Sequence, residues 1–128
     1  MPFPAGKIST REAAMTAFRI LLAILTAALA AYTAVVVARH GLNLFPQFFG
    51  DIAAMGWAGQ FNADFTTLLT LSGLWMAWRN HFTPAGIALG VLGLFGGGPL
   101  LMSYLLILSY AARGDMKIVL GGRRRAAA

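Results

Sequence analysis

Residues 84–112 form a run of 29 residues without a charged side chain. As one α-helix this run would be about 43 Å long at 1.5 Å per residue, which exceeds the hydrocarbon core of a bilayer. Two shorter stretches resemble it: residues 20–38 are also uncharged, and residues 61–78 carry only Asp64. The sequence therefore predicts an all-α membrane protein with three transmembrane helices, at about 20–38, 61–78 and 84–112.

The balance of charged and apolar residues supports this fold class. Only 11% of the residues are charged and 59% are hydrophobic, whereas soluble domains contain about 25% charged residues. The net charge of +6 comes from basic residues at segment ends and near the C-terminus, without one basic stripe interleaved with aromatic residues. This distribution favours contact with anionic headgroups of the lipid bilayer and argues against nucleic acid as a partner.

The 128 residues allow one domain, which the apolar runs divide into three parts. Residues 1–17 form an N-terminal flank, residues 18–112 the three-span membrane domain, and residues 113–128 a basic C-terminal tail that is predicted to be surface-bound or disordered. In the flank, Ser9 and Glu12 have the spacing of a helix capping box. The apolar run that follows is longer than the hydrophobic region of a cleaved signal peptide, so it is interpreted as a retained span.

A short amphipathic helix is predicted at about residues 45–56, between the first two spans. Pro46 suits its first turn, and Gly41 is predicted to cap the end of the preceding span. The apolar residues of the short helix recur on one side, at Phe45, Phe48, Phe49 and Ile52. That pattern favours a helix that lies in the membrane interface.

Small residues recur at spacings of three and four, which places them on one face of each predicted span. In lipid, such faces let two backbones approach closely, and dispersion contacts then drive association. The predicted packing residues are Ala23, Ala27, Ala30 and Ala34 in the first span, Gly73 in the second, and Gly86, Gly90, Gly93 and Gly97 in the third.

The sequence Gly96-Gly97-Gly98-Pro99 interrupts the third predicted span near its middle. Proline removes a backbone donor there and the glycines add conformational freedom. We predict a kink at Gly98 and Pro99. The alternative is a broken helix that exposes its backbone to a ligand, as in transporters.

Asp64 is the one acid within a predicted span. A carboxylate inside the membrane is energetically costly and by default suggests a functional site. If Asn62 is the N-cap of the second span, however, Asp64 lies in the first helical turn, where the helix dipole and interfacial water stabilise its charge. Both interpretations stay open. A third hypothesis pairs Asp64 with Asp51 for proton exchange.

No set of residues typical of a catalytic centre is recognised. The chain contains no cysteine, which excludes thiolate chemistry and cysteine-ligated metals. Its two histidines, His40 and His81, follow successive antiparallel spans, so we expect them on opposite faces of the membrane. No cofactor and no metal site are predicted. Whether the protein is an enzyme stays open, with a non-catalytic role favoured.

The order of these segments resembles a family of small bacterial three-span membrane proteins, known as domain of unknown function 2834. The likeness covers about residues 25–107. It rests on Arg39-His40-Gly41-Leu42-Asn43 after the first span, on Phe61 to Asp64 at the start of the second, and on Gly97-Gly98-Pro99-Leu100-Leu101 with Tyr104 in the third. The resemblance implies a multi-pass protein of the bacterial cytoplasmic (inner) membrane and brings no established activity.

A more distant likeness, through Asp64, Gly98-Pro99 and Tyr104, is to carotenoid-modifying membrane proteins related to neoxanthin synthesis. Two functional hypotheses follow. The first is a non-catalytic accessory subunit or assembly factor, which forms a homo-oligomer or joins a larger membrane complex. The second is a binder of, or enzyme acting on, a lipophilic isoprenoid or carotenoid-type substrate, with Asp64, Tyr104 and the Gly98-Pro99 break lining a pocket.

Charge counts predict an orientation. Three straight spans put the N-terminus and residues 79–83 on one side, and residues 39–60 and the tail on the other. The first side has four basic residues; the second has three once the distant residues 123–125 are set aside. The positive-inside rule then favours a cytoplasmic N-terminus, with the C-terminal tail and the short amphipathic helix outside.

Overall fold

A computed structural model of the protein describes residues 9–128, and within that part of the chain it contains helices and no strands. Residues 1–8, which include Lys7 and half of the predicted N-terminal flank, lie outside the described residues. The helices are α1 (Thr10–His40), α2 (Phe45–Ala53), α3 (Trp57–Arg79), α4 (Pro84–Ala111), α5 (Met116–Gly121) and α6 (Arg123–Ala127). The all-helical fold agrees with the sequence-based prediction.

Two of the helices in residues 9–128 are long and apolar enough to cross a membrane. These are α1, with 31 residues and a mean hydropathy of 2.5 over its apolar window, and α4, with 28 residues and a mean hydropathy of 1.9. Helix α3 has 23 residues, a sufficient length, but it is less apolar because it contains Asn62, Asp64 and several threonines. A third span is therefore not established by length and composition.

The ends of α1 lie where the sequence predicts them. The Ser9 hydroxyl accepts a hydrogen bond from the backbone N–H of Glu12 at 3.1 Å, so Ser9 is the N-cap. At the other end Gly41 adopts a φ of 80°, and its N–H donates to the Val37 carbonyl. Glycine suits this position because a side chain is disfavoured at positive φ.

Helix α3 begins four residues earlier than predicted, at Trp57, with Gly56 as its N-cap. Asn62 consequently lies inside the helix, and its side-chain amide donates to the Phe48 carbonyl of α2 at 3.2 Å. The interpretation of Asn62 as an N-cap is therefore wrong, and Asp64 is not in the first turn. The helix extends back toward α2 because Gly59 lets it contact the Asp51 carbonyl closely, where a Cβ atom would overlap.

Helix α4 folds back on itself. Gly97 has φ 65° and ψ −154°, outside the helical region. Asn80, just after α3, contacts Gly86, which precedes this break. Its side-chain amide also donates to the hydroxyl of Tyr104, which follows the break, at 3.0 Å. A straight helix would separate those two residues of α4 by about 27 Å. Both ends of α4 therefore lie at the same end of the molecule, and we call residues 84–96 the first limb and residues 98–111 the second limb.

This fold-back corrects the prediction of one long third span. An interruption near Gly98 and Pro99 is present, but the backbone reverses at Gly97, which the sequence analysis had assigned to packing. Pro99 lies in the first turn of the second limb, where a helix needs no backbone N–H. A simple kink at Gly98 and Pro99 is thus too small a change of direction to describe the break.

The two limbs of α4 lie between α1 and α3. The first limb packs on α3 so closely that a Cβ atom on Gly90 would lie 2.7 Å from the Gly73 carbonyl oxygen, and one on Gly93 would lie 2.7 Å from the Met76 sulfur. The second limb packs on α1, where the Leu29 side chain lies against Gly98. The glycines Gly73, Gly86, Gly90, Gly93 and Gly97 are all buried.

The predicted alanine face of α1 is not used within the chain. Helix α1 turns Met15 and Leu22 into the contact with α4, and both are buried. At about 100° per residue, the alanine face is centred about 90° away from that contact. Ala23, Ala27, Ala30 and Ala34 are consequently exposed, and the prediction that they pack inside the monomer is wrong.

The C-terminal tail is folded. Helix α5 packs on the second limb, where Val119 is fully buried and packs with Leu108 and Ala112 in the apolar core. The partly buried side chains around this cluster are Trp75, Tyr104, Leu105 and Ile118. The prediction of a disordered tail is therefore wrong, because its apolar residues complete a core that the charge pattern did not reveal. That the tail is bound to the membrane surface stays a prediction.

Candidate functional site

Tyr104, a predicted functional residue, lies where the second limb passes the end of α3. Its hydroxyl accepts a hydrogen bond from the Asn80 side-chain amide at 3.0 Å, and its ring meets the Trp75 ring edge-on with centroids 5.8 Å apart. The Asn80 amide also donates to the Met76 carbonyl at 2.8 Å. The polar group of Tyr104 is thus engaged in holding α4 against α3.

Arg79, the last residue of α3, joins this cluster to the tail. Its Nε donates to the Val119 carbonyl at 2.7 Å and its Nη2 to the Ile118 carbonyl at 3.0 Å. The guanidinium carbon lies 5.9 Å from the centroid of the Tyr104 ring. A planar guanidinium provides such paired donors in a fixed geometry, which an ammonium group does not.

Three further arginines bind backbone carbonyls in the same way. Arg19 donates to the Ser109 carbonyl at 2.8 Å and Arg123 to the Ala111 carbonyl at 2.9 Å. Arg125 stacks on Trp78, 3.9 Å from the ring centroid, and donates to the Gly121 carbonyl at 3.1 Å. Each of these carbonyls lies in the last turn of a helix, where no intrahelical N–H is available. These arginines therefore act as C-terminal caps.

The capped helix ends gather at one end of the molecule, which we call the basic end. Of the nine basic residues in the described part of the chain, eight lie there: Arg11, Arg19, Arg79, Arg113, Lys117, Arg123, Arg124 and Arg125. Arg39, at the far end of α1, is the ninth. Sequence analysis placed these residues at segment ends but missed their grouping, because the grouping depends on the fold-back of α4.

The two histidines lie at opposite ends, as predicted from helix order. His40 ends α1, and His81 follows α3 at the basic end. The pKa of His81 is lowered, first by the partial burial of its ring and then by the positive charges of Arg125, Arg124 and Arg79. Among residues 9–128 no group of three or more His, Cys, Asp or Glu side chains is arranged to hold a metal ion.

Asp64 lies on the outward side of α3. Its side chain is exposed, and its position around the helix axis is about 120–180° from those of Gly73, Met76 and Ala77, which pack against α4. Its backbone carbonyl accepts a hydrogen bond from the Thr67 hydroxyl. Arg79, beside Tyr104, is 15 residues further along, about 22 Å on a helix. The proposed pocket between Asp64 and Tyr104 is consequently not formed within the chain.

Asp51 and Asp64 are not brought together either. The Asp51 carboxylate accepts a hydrogen bond from the Gln47 side chain at 2.9 Å, within α2. The Asp51 backbone contacts α3 at Gly59. Asp64 is five residues further along α3, which places it about 140° around the helix axis from Gly59. Asp64 therefore projects from a different side of α3, and the paired-carboxylate hypothesis is not supported.

The fold and these sites define, over residues 9–128, an all-helical protein with two helices long and apolar enough to cross a membrane and with an arginine-capped end. Comparison of the chain with protein-family models, curated proteins and solved structures finds no match. The resemblance to the small three-span bacterial family stays a prediction.

Proposed function

We propose that the protein is a non-catalytic accessory subunit or assembly factor of the bacterial cytoplasmic membrane, which crosses the bilayer through α1 and α3 and binds other membrane proteins through the outward faces of these helices. Helix α3 is about 34 Å long, enough for the hydrocarbon core. Trp57 lies at its start and Trp75 and Trp78 at its end, where tryptophan is favoured at membrane interfaces.

The exposed carboxylate of Asp64 carries this proposal. On the same outward side of α3, Leu68 and Leu71 are 57% and 62% exposed, as expected for a surface in contact with lipid. Asp64 lies about 10 Å into the helix from Trp57. A charged side chain facing lipid at the helix centre costs about 2.5–3.5 kcal/mol on insertion scales. A hydrogen-bond donor from another protein chain would remove much of that penalty.

The alanine face of α1 supports the same conclusion. Ala23, Ala27, Ala30 and Ala34 are exposed, so the surface that most readily admits a second helix is unused in the single chain. Small residues permit close backbone contact, on which helix association in lipid depends. A non-catalytic role also suits Tyr104, whose hydroxyl is engaged with Asn80.

Purification in a mild detergent tests the proposal. We expect the protein content of the wild-type particle, without its bound detergent, to exceed one chain of 13.6 kDa, either as an oligomer or with a second protein identified by mass spectrometry. Asp64→Leu should release the partner while the monomer keeps its helical circular dichroism. Asp51→Leu, a matched change of an acid in α2, should retain the partner.

Two results would contradict this function. One is a wild-type protein that remains a single chain at every detergent concentration that preserves its fold. The other is the stoichiometric recovery of an extractable lipophilic molecule without a protein partner, which would support the isoprenoid hypothesis instead. Retention of the partner by Asp64→Leu would show that a different surface mediates the association.

A further inference from the structure

The fold-back of α4 changes which parts of the chain share a side of the membrane. Its two ends, Pro84 and Ala111, both lie near the C-terminal end of α3 because Asn80 contacts each limb. The α3–α4 connection and the tail then lie on the same side of the membrane. Helices α1 and α3 are the elements that cross, and α4 enters and leaves from one side.

Contacts across the molecule place the start of α1 and the C-terminal tail at this same end. The side chain of Met15, near the start of α1, lies against Gly114, just after α4. Arg19 donates to Ser109, and Arg79 donates to Val119 in the tail. One end of the molecule therefore contains the start of α1, the end of α3, both ends of α4 and the tail.

A hairpin of this kind is compatible with a bilayer only if its tip is shielded from lipid. Each limb has 13 or 14 residues, about 20 Å, which is too short to cross a hydrocarbon core of about 30 Å. The tip at Gly97 is buried, with Phe65 of α3 on one side and Leu29 of α1 against the next residue. Irregular backbone at membrane depth is tolerated when protein surrounds it.

The charges distinguish the two ends of the molecule. The basic end carries eight of the nine described basic residues, with Glu12 and Asp115 as its acids. The opposite end carries Arg39 and Asp51, and Asp64 lies about 10 Å into α3 from that end. Four of the arginines bind carbonyl oxygens, which leaves their positive charge without an anionic partner in these contacts. The complementary surface is a layer of anionic headgroups.

We infer that α4 is a re-entrant hairpin inserted from the cytoplasmic side, and that the basic end lies against the anionic phospholipid headgroups of the cytoplasmic leaflet. The positive-inside rule assigns an excess of Lys and Arg to the cytoplasm, and among residues 9–128 eight of the nine Lys and Arg lie at the basic end. The start of α1 and the C-terminal tail are then cytoplasmic. This inference rests on the proposed insertion in the membrane, and it replaces the external C-terminus predicted from straight spans.

Single-cysteine labelling tests the topology, since the chain has no cysteine of its own. Asn43→Cys, Ala85→Cys and Ala128→Cys report on the α1–α2 connection, the start of α4 and the tail, all exposed positions. In intact cells of a bacterial host, a membrane-impermeant maleimide should label Asn43→Cys alone. After permeabilisation it should label all three variants.

Each other outcome has a distinct meaning. External labelling of Ala128→Cys but not Ala85→Cys would show that α4 crosses the membrane, which overturns the hairpin. External labelling of both, with Asn43→Cys protected, would overturn the cytoplasmic assignment. Equal labelling of all three in intact cells, or recovery of the protein in the soluble fraction, would contradict membrane insertion and with it the proposed function.

Reconstitution tests the headgroup contact. Purified protein in vesicles should retain phosphatidylglycerol over phosphatidylcholine in native mass spectrometry. The double variant Lys117→Gln/Arg124→Gln, at two exposed positions, should lower that preference about fivefold for each charge removed. Arg39→Gln, at the opposite end, should leave it unchanged. An equal loss in both variants, or no preference in wild type, would overturn the contact with anionic lipid.

Discussion

Gly97 determines the path of the chain more than any other single residue. With φ 65° and ψ −154° it occupies a region of backbone space that is essentially restricted to glycine. It is also buried, and a Cβ atom there would lie 3.3 Å from the Phe65 ring. Backbone strain and crowding therefore both oppose a side chain at this position.

Gly97→Ala should accordingly destabilise the protein by about 1–3 kcal/mol, the range for a residue held in a sparsely populated backbone region. Unfolding of the detergent-solubilised protein, followed by circular dichroism, measures the change. Gly50→Ala is the matched control, because a Cβ at Gly50 meets nothing within 4 Å; it should leave the stability unchanged or raise it slightly. Equal stability of the two variants would show that Gly97 is not under strain.

His81 is the residue whose ionisation reports on the basic end. Its pKa is lowered from 6.5, so below that pH the unfolded chain takes up a proton more readily than the folded one. Stability should therefore fall as the pH drops through 6.5 toward the lowered pKa. Arg125→Gln should move the pKa of His81 back toward 6.5, as measured by NMR titration of the imidazole, and Arg39→Gln should not. An unchanged pKa in Arg125→Gln would show that Arg125 exerts no field there.

At the scale of helices, the sequence predicts that a helix exists and where it ends better than it predicts which face of the helix packs inward. Ser9 and Gly41 act locally, through hydrogen bonds to residues three or four positions away, so their roles follow from the sequence. The rotation of α1 about its own axis does not follow from the sequence. Arg19 fixes it by binding Ser109, 90 residues away, and thereby turns Leu22 inward and the alanine face outward.

Helix α3 and the first limb of α4 approach each other closely through glycines. A Cβ on Gly73 would lie 2.6 Å from the Gly90 carbonyl oxygen, and the reverse substitution meets the Gly73 carbonyl. Gly90→Leu or Gly93→Leu should separate the helices and prevent formation of monodisperse protein in detergent. Leu92→Ile, at a position that is 60% exposed, should leave the yield unchanged. Similar yields from these variants would contradict the close packing.

Across the whole molecule, the features that sequence analysis missed are those that join distant segments. Asp64 and Tyr104 are candidates in the sequence because they are polar residues in apolar runs. Their positions in the sequence do not show that the fold separates them. In the sequence Arg79 is a charge that flanks a predicted span. Its hydrogen bonds to the Ile118 and Val119 carbonyls form because the tail folds back to the end of α3. Periodicity within one helix contains no information about contacts nearly 40 residues apart.

Val119 provides the most direct test of the folded tail. It is fully buried against Leu108 and Ala112, whereas the neighbouring Leu120 is 50% exposed. Val119→Ala removes two buried methyl groups and leaves a cavity, so we expect a loss of about 2 kcal/mol in the free energy of unfolding. Leu120→Ala should cost much less, although its side chain is larger. Denaturant titration in one detergent compares the two variants, and a larger loss for Leu120→Ala would show that the tail does not pack on the second limb through Val119.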